Sequence, residues 1–183
     1  MKVRSIMKKW ILGVAGVVGT GFLLIYLILH FGTSGTSKAY AEISTPVPQI
    51  SAALLDGTPG QVDSKTFLGQ VTVVSFFASW CGPCHMNHKM LFALKNMGHT
   101  LIGINLRDRT PEAELWLLEN GNPFKMVASD PQGQMAGAWG VKGIPQIFVV
   151  DKKGFIRFRH TGILTTDRIE TVIDPLIRKL EAE

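Results

Sequence analysis

Cys81 and Cys84 are the only cysteines in the chain, and they stand in the run "SWCGPCH", residues 79–85. Their spacing supports two chemistries. A Cys-x-x-Cys dithiol exchanges electrons with disulfides, whereas Cys-x-x-Cys-His is also an attachment pattern for a c-type haem, with His85 as the proximal ligand. For exchange, the attacking species is a thiolate. At a helix N-terminus the unpaired N–H groups and the helix dipole stabilise an anion, which lowers a cysteine pKa below its free value of about 8.5. Cys81, at the exposed edge of the turn, is the expected nucleophile. Cys84, one helical turn on, is the expected buried partner that resolves the mixed disulfide. In the intervening Gly82-Pro83 pair, Pro83 presets a helical φ and lacks an N–H that would otherwise go unpaired. Trp80 is placed to shield one side of the sulfurs. A structural zinc site would need two further ligands, and of the five histidines (30, 85, 88, 99 and 160) only His85 and His88 lie near ligand spacing. Cysteines this close together also span too small a loop to staple a fold, which favours chemistry over scaffolding.

The flanking elements decide between the two chemistries. "VTVVSFFA" (71–78) is β-branched and aromatic on both faces, the pattern of a buried central strand. The motif that follows opens a helix, with Met86, Met90, Leu91, Leu94 and Met97 at core spacing and Gly98 as its stop. An attached haem would ask for helical or loop-rich wrapping, so the strand-fed position favours the redox dithiol. Further strands are expected at "TLIGINL" (100–106), "KMVASD" (125–130) and on both sides of Lys152-Lys153-Gly154. "TPEAELWLLENGN" reads as a helix capped by Thr110, with Pro111 at its first position, and a short helix follows Asp130. An early hairpin around Asp56-Gly57, a helical turn capped by Asp63 or Ser64, and a closing amphipathic helix from about Thr166 complete an α/β sandwich.

The 183 residues leave room for one domain and an appendage. Net charge is +5, but Lys2, Arg4, Lys8 and Lys9 crowd the first nine residues, so the basic balance is no footprint for nucleic acid. Residues 10–31 carry no acidic or basic side chain except His30. About 20 helical residues cross a hydrocarbon core of about 30 Å. The expected layout is a cytoplasmic N-terminus (1–9), a transmembrane anchor (10–31), a linker (32–48) and an α/β domain (49–183) held outside the cytoplasm by the positive-inside rule. A signal peptide cleaved near Ala41 is the alternative, although its apolar region of about 7–15 residues would be shorter than the run seen here.

"FFASWCGPC", followed later by "GVKGIPQIFVVDKKGFIRFRHTG", resembles the thioredoxin-fold proteins. More narrowly it is similar to the membrane-anchored thiol–disulfide oxidoreductases of cytochrome c maturation, the DsbE/CcmG family, with the ResA/TlpA group as neighbours. The similarity covers about residues 43–180, and "IGINLRDRTPEAELWLLENGNPF" matches that subfamily's central insertion. The resemblance implies a thioredoxin-like fold with a central mixed sheet flanked by helices, behind one N-terminal transmembrane helix. It implies a cis-proline at Pro145 facing the dithiol, with Gly143 and Ile144 as substrate contacts. It also implies a redox-active Cys81–Cys84 disulfide with no other cofactor, in a domain facing the periplasm from a bacterial inner membrane. The substrate would be a disulfide in apocytochrome c or a haem-ligation protein, and the electron source a membrane donor of the DsbD/CcdA type.

Two positions depart from the family pattern. Ser75 stands where thioredoxin has a buried acid, and Gln146 where the maturation subfamily often has an acid after its cis-proline. Asn105 and Glu119 are polar and either line the site or serve surface and capping roles. Three rivals stand beside a cytochrome-maturation reductant: a general reductase or oxidant of exported proteins, a c-type cytochrome, and a tethered binding module without catalysis.

Overall fold

The computed structural model describes residue 26 and residues 43–183. The expected basic N-terminus, the 10–31 anchor, the Ala41 site and most of the linker lie outside them. Among the described residues no helix is long and apolar enough to cross a membrane.

Eight strands form in chain order: β1 (Thr45–Pro46), β2 (Ala52–Ala53), β3 (Gln61–Val62), β4 (Thr72–Phe77), β5 (Thr100–Leu106), β6 (Met126–Asp130), β7 (Gln146–Val150) and β8 (Phe155–Thr161). Six make one sheet in the order β1-β8-β7-β4-β5-β6, while β2 and β3 pair separately as the expected hairpin. All six residues of β4 are buried. That follows from its composition, since a strand with apolar groups on both faces is stable only with a layer on each side. β4 runs parallel to β5 and antiparallel to β7, which makes the sheet mixed. β1 pairs with β8, so the sheet reaches back into the stretch expected to be linker.

Helices cover both faces: α1 (Gly82–Asn96), α2 (Thr110–Asn120), α3 (Gln134–Ala138) and a C-terminal α4 from Thr166 to Ala182. Within α4 the turn Ile169–Ile173 is widened to π geometry just before Asp174-Pro175. Pro175 offers no N–H and its ring crowds the carbonyl four residues back, which the wider turn accommodates. One face of the sheet packs Val73 and Phe77 against α1 and α4. The other packs Val74, Phe76 and Phe148 around Trp139. Trp139 meets Phe67, Phe76 and Phe148 edge-on, with ring centroids 5.1–5.6 Å apart.

Two local expectations need correction. The methionines of α1 are not its core set: Met86 is 61% and Met97 39% exposed, and Met90 is half-buried, while Leu91, Leu94 and Cys84 are buried with Asn87 and His88. Spacing alone does not say which of several interleaved stripes faces the sheet. Here the stripe containing Cys84 faces inward and carries two polar side chains with it. Thr110 is also not the cap of α2. It is the first helical residue, Arg109 occupies the cap position without a side-chain bond, and Pro111 follows within the first turn. Asp63 does cap its short 3-10 turn (Ser64–Phe67), accepting from the N–H groups of Lys65 and Thr66.

Candidate active site

β4 delivers the chain into the turn Ala78–Ser79–Trp80, and Cys81 is the N-cap of α1. Cys81 and Cys84 are joined, with S–S 2.06 Å and Cα–Cα 5.2 Å. The Cys84 N–H donates to Cys81 Sγ at 3.2 Å. No acidic residue stands in the first turn of α1, so nothing there neutralises the positive end of the helix. The two cysteines are 5% and 3% exposed, so exposure does not separate them as expected. Their positions do: only Cys81 has its sulfur at the cap, where backbone N–H groups converge. Gly82 and Pro83 lie exposed on the first turn.

The turn is gripped from the segment after β5. Asp108 accepts from the Ser79 N–H, from Ser79 Oγ at 2.8 Å, from Asn105 Nδ2 at 2.9 Å and from the Arg109 N–H at 2.9 Å. The indole N–H of Trp80 donates to the Arg107 carbonyl at 3.0 Å, while its ring stays 61% exposed. Asn105 is thus a buried support rather than a surface residue, whereas Glu119 lies exposed on α2.

His85 lies 2.7 Å, through Nε2, from the Ser79 carbonyl. A carbonyl only accepts, so Nε2 carries the proton. The imidazole also stacks on Trp116 of α2 at 4.9 Å, so His85 ties α1 to the turn and to α2. His88 is buried beside it, donating through Nε2 to the carbonyls of Asn120 and Gly121 at 3.2 and 3.0 Å. Burial lowers its pKa, and the nearby His85 adds to that against the two carbonyl bonds. Asn87 reaches the segment after β8, donating to the Gly162 carbonyl and accepting from the Leu164 N–H at 2.7 Å.

The Ile144–Pro145 peptide is cis. Pro145 is buried, its carbonyl accepts from the Gly162 N–H at 3.0 Å, and Ile144 packs against the cluster that contains both cysteines. Trp80, Gly143 and Ile144 line one groove of about 390 Å³, whose lining includes neither cysteine. β4, β5 and β6 are parallel and β7 antiparallel, so the turn after β4, the Arg107–Arg109 segment and the Ile144–Pro145 segment all emerge at one edge of the sheet. Ser75 is buried in β4 between Gly103 and Ile147. Gln146 is buried too. Strand alternation places it on the Phe148 side rather than with Ile147, and its Oε1 has no partner among the described residues. Among those residues no group of three or more His, Cys, Asp or Glu side chains could hold a metal ion. A cavity of about 800 Å³ between α2, β6 and the β2–β3 loop does not include the cysteines.

Sequence reading passed over Asp108, Arg107, Asn87 and Trp116. Asp108 left one signal, an acidic residue at the end of a buried strand just ahead of a helix. Its partner Ser79 is 29 positions away, a separation that no local pattern encodes.

The Redoxin family pattern matches residues 42–173. The thiol:disulfide interchange protein HelX of Rhodobacter capsulatus is 34% identical over 95% of this chain and 96% of its own length. The thiol:disulfide interchange protein DsbE of Escherichia coli K12 is 34% identical over 83% of each. Among solved structures, a thioredoxin-family thiol:disulfide interchange protein from Chlorobium tepidum superposes with TM-score 0.60 at 24% identity. It covers 78% of this chain and 99% of that one, and bears on the fold alone. A dithiol capping a helix at the end of a central strand is what such an activity requires, and the chain therefore belongs to the Redoxin family, among the thiol:disulfide interchange proteins of the DsbE and HelX type.

Proposed function

We propose that the protein performs thiol–disulfide exchange in the reducing direction, outside the cytoplasm, on disulfides of apocytochrome c or of a haem-ligation protein. The Cys81 thiolate attacks one sulfur of the substrate disulfide, forming a Cys81–substrate bond and releasing the other substrate sulfur as a thiolate. The Cys84 thiolate then attacks Cys81 Sγ, closing the Cys81–Cys84 disulfide and releasing the second substrate thiolate. Two electrons pass to the substrate. Two electrons and two protons from a membrane donor of the DsbD/CcdA type restore the dithiol. Residues 10–31 anchor the chain in a bacterial inner membrane with the domain facing the periplasm. Gly143, Ile144 and Pro145 supply the surface against which substrate backbone lies, and Trp80, Gly82 and Pro83 shape the turn.

The observation that carries the assignment of Cys81 as nucleophile is its place at the helix cap, with the Cys84 N–H on its sulfur and no acid in the first turn. That arrangement stabilises a thiolate at Cys81, and Cys84 has no equivalent. The test is trapping. A Cys84→Ser variant is expected to hold its substrate as a mixed disulfide through Cys81, whose captured protein is identified by mass spectrometry. Capture of unrelated exported proteins in place of haem-pathway ones would leave a general reductase. A dithiol potential near about −120 mV, the oxidant range, would overturn the reducing direction, for which about −270 mV is expected.

A further inference from the structure

The groove lined by Trp80, the residue before Cys81, and by Ile144, the residue before the cis-proline, is apolar there and at Leu106, and two cations, Arg107 and Lys142, also line it. No acidic residue lines it. Its size of about 390 Å³ falls within the range of about 300–1,000 Å³ for clefts that hold small ligands or side chains. Arg107 is set with unusual care. It is the one described non-glycine residue with a positive φ, at 47°. Such a conformation is uncommon for a side chain with a Cβ and collects at functional sites. Both its backbone groups are engaged, the N–H by the Asp130 carbonyl at 3.0 Å and the carbonyl by the Trp80 indole. Its guanidinium lies over Gly133, where a Cβ would come within 2.7 Å of Nε.

The nearby carboxylates are already used. Asp108 takes the four donors given above, and Asp130 accepts from the Met135 and Ala136 N–H groups at 3.2 and 2.8 Å. Among the described residues neither Arg107 nor Lys142 forms an ion pair. Two uncommitted cations line a partly apolar slot that shares Trp80 with the turn leading into the Cys81 cap.

We propose that this groove selects substrates in which a carboxylate side chain lies within a few residues of the target cysteine. An adjoining apolar side chain fills the Trp80–Leu106–Ile144 floor, and the carboxylate meets Arg107 and Lys142. The proposal rests on the exchange reading above and adds the chemical class of the segment that docks.

The test uses reduced full-length protein and three synthetic peptides, each with an internal Cys-x-x-Cys disulfide and differing only in a flanking Glu, Gln or Lys. Peptide reduction is followed by rapid quenching and mass analysis. At low salt the Glu peptide is expected to react about three- to tenfold faster than the Lys peptide, with Gln between them, since partly exposed charge pairs contribute modestly. The ratio is expected to fall towards one at about 1 M salt, where the screening length is about 3 Å. Arg107→Gln and Lys142→Gln should each shrink the ratio, and the double variant should abolish it. Equal rates for the Glu and Lys peptides, or a ratio untouched by both variants, would overturn the inference and leave the exchange reading intact. Failure to reduce any of the three would remove the exchange reading, and the inference with it. Retention of the ratio at high salt would also count against it.

Discussion

Replacing Asp108 by Ala removes the acceptor that holds Ser79 in place two residues before Cys81. Four donors lose a partner: the Ser79 N–H and Oγ, Asn105 Nδ2 and the Arg109 N–H. Hydrogen bonds to a charged acceptor contribute about 1.5–3 kcal/mol each when no replacement exists. Ser79 is only part-buried and Arg109 is exposed, so their donors can turn to water. Asn105 is 1% exposed and cannot, so its amide bears the full cost of an unmet donor, about 1–3 kcal/mol. With a smaller contribution from the loosened turn, the expected loss is about 2–4 kcal/mol. For a domain of this size that is about 5–12 °C in Tm. Asp108→Asn keeps one acceptor oxygen and should lose about half as much. Urea unfolding of oxidised protein measures the stability term. The exchange rate of reduced protein with glutathione disulfide measures the second consequence, a fall of about tenfold from poorer placement of the Cys81 cap. An Asp108→Ala protein within about 0.5 kcal/mol of the parent and equally fast in exchange would refute the clamp. Equal losses for Ala and Asn would refute the counting of oxygens.

Acidification should unfold the protein through named carboxylates. Burial pushes Asp151 up, but the Phe155 N–H, the Arg157 guanidinium and the Lys153 N–H together outweigh it and hold the pKa below the ordinary carboxyl value. At Asp174, burial is likewise outweighed by Arg178 and His99. A carboxyl depressed in the fold gives stability that is complete above its unfolded pKa of about 3.9 and is lost as pH falls through the lower folded value. The urea midpoint should therefore drop below about pH 4, less steeply in Asp174→Asn, and a midpoint that rises on acidification would contradict this. Gly103→Ala should destabilise by about 1–3 kcal/mol by crowding a packed site. A Cβ there would come within 2.9 Å of Phe77 and 3.0 Å of Phe124, whose stacked rings are both buried and have nowhere to retreat. A Gly103→Ala domain at least as stable as the parent in urea would show that these rings do move.

What was legible in the sequence was whatever repeats locally. β5 occupies Thr100–Leu106, the stretch expected as a strand from "TLIGINL", and β4 is the inner strand that "VTVVSFFA" required. The cis peptide at Pro145 was legible only through resemblance, because nothing local to Ile144-Pro145 distinguishes the two isomers. Contacts between distant segments were not legible. The role of His85 depends on a carbonyl six positions back and an indole on another helix. Met86 and Leu94 looked alike as helix-spaced apolar residues, and only the docking angle of α1 turned one outward and the other inward. Cys81 and Cys84 are both concealed because both belong to one buried apolar cluster, against which Ile144 packs.

The strand order carries a consequence for how the protein comes into being. β7 lies beside β4 in the sheet, yet follows it in the chain after β5 and β6. A polypeptide that has emerged only as far as Asp130 holds both thiols, but β4 has one edge bare and Ile144 is not there to pack against their cluster. The reactive pair thus exists before the segment that packs against its cluster. With no third cysteine in the sequence, a stray oxidation within that half-made chain can form only the bond the finished protein already uses. The immature chain therefore has no second way to pair its own thiols with each other.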